Sequence, residues 1–69
     1  MVFLSPTRRP DIALIGEDLY SVMTETDTLG YIHLVGNVYV ALCGADIHHA
    51  VEVGQTLSWD QAVDLVISC

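Results

Sequence analysis

The chain has 69 residues, 52% hydrophobic and 16% charged, with a formal net charge of −7. That content is too apolar for a disordered chain and allows one domain at most. Its two cations, Arg8 and Arg9, stand together near the N-terminus, and all nine Asp and Glu follow Pro10. A body without fixed cations repels phosphate backbones and anionic lipid, so neither nucleic acid nor a membrane is an expected partner.

In chain order, Ser5 to Pro10 holds both prolines and both arginines without periodicity. Residues 1–10 therefore read as a flexible arm, and 11–69 as a single small domain. The apolar start, Met1 to Leu4, is too short for a secretion signal, and no stretch approaches the ~20 apolar residues of a membrane span. With Cys43 and Cys69 the only cysteines, free thiols in a reducing cytoplasm are the expectation, and one disulfide the alternative.

Ile12 to Ile15 is a short apolar run ended by Gly16, readable as an edge strand or as a segment laid on the core. Glu17 to Thr26 fits a helical face through Leu19, Val22, Met23 and Thr26, and also alternates as a strand. Its β-branched and aromatic residues, and the Thr26-Asp27-Thr28 that follows, favour a strand and a turn.

Leu29 to Val35, then Gly36-Asn37, then Val38 to Cys43, spells a β-hairpin, with Gly36 and Asn37 both suited to positive φ. Tyr31, His33 and Val35 fall on one face of the first strand, and Ile32 and Leu34 on the other. Val38, Val40 and Leu42 likewise oppose Tyr39, Ala41 and Cys43. Both faces are largely apolar, whereas a hairpin wetted on one side alternates with polar residues. Cover is expected on both sides, a helix on one and another subunit on the second.

Ala45 to His49 reads as a connection and Ala50 to Val53, ended by Gly54, as a further strand. Ser58 is an N-cap, and Gln61 completes a capping box with Leu57 stapling to Ala62. Trp59, Ala62, Val63, Val66 and Ile67 form the apolar stripe of a helix running from Trp59 to about Ile67. The fold class is therefore α+β: a three- or four-stranded antiparallel sheet, meander or hairpin, with one C-terminal helix packed on it.

Little chemistry is readable. His48, His49 and Cys43 carry metal-ligand atoms, but neighbouring histidines diverge on either a strand or a helix, and zinc needs three or four converging groups. They are weak metal candidates. Cys43 in a strand face reads as a packed thiol, and no nucleophile motif, phosphate loop or paired catalytic carboxylates accompany it. No catalytic residue and no cofactor are assigned. Tyr31, His33, Tyr39 and Trp59 are candidate interface residues, with Trp59 equally suited to close the core.

Val53 to Val63, with Gly54, Thr56, Leu57 and Ala62, resembles the closing part of HicB-type antitoxins, in which a last strand opens a helix through a Gly-x-Thr-Leu-like signature. The likeness covers about the last twenty residues, and Gly44 to Ile47 stands where that family has a proline-rich turn. It implies a small acidic protein that pairs with a basic RNA-cleaving partner. The residues themselves favour a non-catalytic interaction or oligomerisation module, a homodimer or a binder of another protein. A small core gains most from such a partner. An antitoxin-like neutraliser and a small metal-binding protein are the alternatives.

Overall fold

The computed structural model describes residues 10–69, so the expected arm over 1–10 lies almost wholly outside the described residues. Five strands follow in order, β1 (Asp11–Gly16), β2 (Leu19–Met23), β3 (Thr28–Val35), β4 (Val38–Cys43) and β5 (Val51–Thr56), and one helix, α1 (Trp59–Ile67). Each strand pairs antiparallel with the next, giving a meander with β1 and β5 at its edges. The α+β class with a C-terminal helix holds. The strand count is five, not three or four, because Ile12 to Ile15 and the ambiguous Glu17 to Thr26 segment both contribute strands.

The first two strands are joined by a turn at Glu17-Asp18, where Asp18 takes φ 60 and its carbonyl accepts from the Leu34 amide at 2.8 Å. Asp is among the few side chains that tolerate this region. The next turn closes through the Thr24 hydroxyl, which accepts from the Asp27 amide at 3.0 Å. In the β3–β4 hairpin Gly36 has φ 60, but Asn37 does not share it, so one position rather than two needs positive φ.

Gly54 does not end its strand. β5 continues through it to Thr56, with a bulge at Val53, the residue passed over where β4 steps from Ala41 to Leu42. A Cβ at Gly54 would lie 2.8 Å from Leu65 Cδ1, and one at Gly30 would lie 2.8 Å from Val66 Cγ1 and press on the Leu42 carbonyl. These two glycines let α1 settle close onto the sheet.

The helix begins where Ser58 predicts, its side chain accepting from the Gln61 amide at 3.4 Å. The box closes differently from the expected pattern. Thr56 Oγ1 accepts from the Ser58 amide at 3.1 Å and donates to Gln61 Oε1 at 2.6 Å, so the preceding strand supplies the reciprocal bond. Leu57 is 74% exposed and contributes little as a staple.

The helix lies across β3, β4 and β5. Ala62, Val63 and Val66 meet Val22, Ile32 and Ala41 in one buried cluster. Trp59 closes its end, meeting Tyr20 at 5.0 Å and Tyr39 at 5.5 Å, both edge to face. Cys43 and Cys69 are joined in a disulfide, which overturns the expectation of free thiols. The cause is topological: the helix returns its end over the close of β4, bringing the two Cα atoms to 6.1 Å, within bridging range.

A candidate interaction surface

Five strands about 4.8 Å apart make a sheet roughly 19 Å wide, while a helix is only about 10 Å across. One helix cannot shield that width, and α1 leaves β1 bare. Register places Ile12 opposite Val22 and Leu14 opposite Tyr20, so both point to the helix side of the sheet. They find no helix there: Ile12 is 37% exposed and Leu14 64%. Ile15, at the irregularity before Gly16, is also exposed. A separate cleft of about 370 Å³ is bordered by apolar Met23, Leu29 and Ile67 and by polar Asp11, Thr24 and Glu25. A contiguous apolar strip beside a free strand edge is a common mark of association.

Among the described residues, the opposite face carries no helix. Ala13, Ser21, Tyr31, Leu42 and Glu52 form one row across all five strands, and Leu19, His33, Val40 and Gln55 the next. Val35 is 52% exposed at its margin. Face assignments within the hairpin thus follow the alternation of its sequence.

The four aromatic and histidine candidates divide between these faces. Tyr31 is buried within the chain and its hydroxyl donates to the Ala45 carbonyl at 2.8 Å. His33 is exposed on the face without a helix. Tyr39 and Trp59 stand together on the helix side, half-buried in ring contacts with each other and with Tyr20. The structure brings Tyr39 and Trp59 together and separates them from Tyr31 and His33. Ile12 and Leu14, which sequence reasoning did not single out, are the more accessible apolar groups. The signal for them was the uninterrupted Ile12 to Ile15 run, meaningful only once the width of the sheet is known.

The metal candidates do not converge. Cys43 is consumed by its disulfide. His48 and His49 are exposed on the loop after β4. His49 Nδ1 lies 3.0 Å from Asp46 Oδ2, and the His48 amide donates to Asp46 Oδ1 at 3.0 Å. The His49 ring, and next the His48 amide, hold the Asp46 carboxyl below its ordinary pKa. Local hydrogen bonds explain this loop. Among the described residues no group of three or more His, Cys, Asp or Glu is placed to hold a metal ion. Among the described residues no helix is long and apolar enough to cross a membrane.

Comparison with known proteins returns no matching family model, curated protein or solved structure.

Proposed function

We propose that this chain is a small non-catalytic protein-interaction module that works by self-association or by docking on another protein. One observation carries the reading: among the described residues, Ile12, Leu14 and Ile15 lie exposed along an edge strand that α1 does not cover. Burying such side chains contributes about 1.5–3 kcal/mol each, a strong drive toward a protein surface. The small size of the core is a weaker argument than the sequence alone implied, since the Cys43–Cys69 bond already staples the domain. Protein rather than nucleic acid is the partner class, because all nine acidic residues and neither of the two cations lie after Pro10. Sedimentation of the full chain from low micromolar to near-millimolar concentration tests the reading. Concentration-dependent association is expected for self-association; a monomer throughout that also gains nothing from candidate partner proteins contradicts the reading.

The same charge distribution favours a second reading, an acidic neutraliser of a basic protein, in line with the HicB-like close of the sequence. Co-expression with a basic toxin-like neighbour would relieve toxicity if it holds and leave toxicity unchanged if it does not. Cytoplasmic placement belongs with these proposals. The closed cysteine pair weighs against it, because such bonds persist chiefly in oxidising compartments.

A further inference from the structure

We infer that the Cys43–Cys69 disulfide is a redox latch on α1: a dithiol that reduces it releases the last turn of the helix and joins two exposed apolar patches into one. The inference rests on the reading of the chain as an interaction module and names how its surface is regulated.

Strand register places the latch. Ile12, Val22, Gly30, Cys43 and Val51 are successive partners from β1 to β5 and form one row across the helix side of the sheet. Both ends of the row, Ile12 and Val51, are exposed. The middle is covered from above. Val66 lies against Gly30 and shares the buried cluster with Val22, while Cys69 is bonded to Cys43. That cover comes from the last turn of α1 and the residues just after it.

This end of the helix is weak on its own. Nine residues make a marginal helix without packing. Its last turn holds no basic side chain and does hold Asp64, whose charge opposes the negative end of the helix dipole. Ile67 is exposed, and Ser68 bonds back only to the Asp64 carbonyl, within the same turn. The other end is held independently, by the Ser58 cap, by Trp59 against Tyr20 and Tyr39, and by buried Ala62 and Val63. Opening the bond therefore loosens one end of the helix and leaves the sheet in place. Val22 and Gly30 then link Ile12 to Val51 in a continuous apolar row.

The bond is also within reach. Cys69 is exposed and Cys43 half-buried, and exposed disulfides are the labile, regulatory kind. A thiolate of the dithiol attacks Cys69 Sγ, the S–S bond breaks, and Cys43 leaves as a thiolate that takes up a proton. The second thiolate of the reductant attacks the mixed disulfide and frees Cys69, which is protonated in turn. The reductant, having supplied two electrons, departs as its own disulfide.

Hydrogen exchange of the full chain, oxidised and after dithiothreitol, tests the latch, with circular dichroism and binding of the neutral dye Nile red alongside. Amides 64–68 should exchange about tenfold faster or more once the bond is reduced, while β2 to β4 keep their protection and Trp59 its near-ultraviolet signal. Dye fluorescence should rise, and re-oxidation should reverse every change. Cys43→Ser/Cys69→Ser should match the reduced chain and ignore dithiothreitol. Asp64→Lys, which replaces the opposing charge with a favourable one, should blunt the opening in the reduced chain. Unchanged exchange at 64–68 would overturn the inference, and so would unfolding of the whole sheet, which would make the bond a permanent staple. Sedimentation separates the inference from the reading beneath it. Equal association in both redox states would remove the latch and keep the interaction module. A chain that neither associates nor takes a partner in either state would remove the module, whereas exchange would still decide whether the helix end is released.

Discussion

Gly30 and Gly54 set how near the helix can come, and they should differ sharply when changed. At Gly30 an added methyl meets the backbone carbonyl of Leu42 as well as Val66 Cγ1, and backbone cannot yield cheaply. At Gly54 it meets the end of the Leu65 side chain, which can turn aside. Gly30→Ala should therefore cost about 3 kcal/mol and Gly54→Ala about 1 kcal/mol or less, read from urea unfolding midpoints. Equal costs would mean that the helix does not rest on these positions as described. Neither role was legible in the sequence, where Gly54 looks like a strand terminator. A glycine that ends a strand and one that admits a neighbour are the same letter, and the difference lies in Leu65, eleven positions away. Ser58 was readable as a cap because its partner is three residues on; Thr56 was missed because its bond reaches back from a strand.

At the level of elements, the hairpin and the helix could be read because their signals are local: two β-rich runs around Gly36-Asn37, and an apolar stripe of helical spacing after Ser58. β2 was ambiguous, since Leu19 to Met23 satisfies both periods, and pairing with β1 and β3 decides it. The disulfide was the largest miss. Its halves are 26 residues apart, and only the return of α1 over β4 shows that they meet. Closing a loop of that length removes unfolded-chain entropy worth about 3.5 kcal/mol. Replacing both cysteines by serine should lower stability by about that amount and free the end of α1 before the sheet. Hydrogen exchange should show the helix amides opening first. An unchanged unfolding midpoint would mean that the bond adds nothing to the fold.

For the molecule as a whole, a meander of five strands with one short helix is an unbalanced layer arrangement. Two-layer folds bury the apolar face of a sheet against something of matching width. Here α1 shields β3, β4 and β5, Trp59 extends that cover to Tyr20, and β1 is left with Ile12 and Leu14 toward solvent. The sequence made the apolar excess plain but placed it on the hairpin, whose helix side is in fact well filled by α1. Strand count decided the matter: with three or four strands one helix suffices, and with five it does not.

Hydrogen exchange along β1, followed as protein concentration rises, tests most directly whether the exposed strip of Ile12, Leu14 and Ile15 is where the molecule associates. Amides between Ile12 and Ile15 that face outward from the sheet should exchange freely in dilute protein and slow markedly as association proceeds, with β5 unaffected. Exchange along β1 that stays the same at every concentration, while the chain sediments as a larger species, would show that the molecule meets its partner elsewhere.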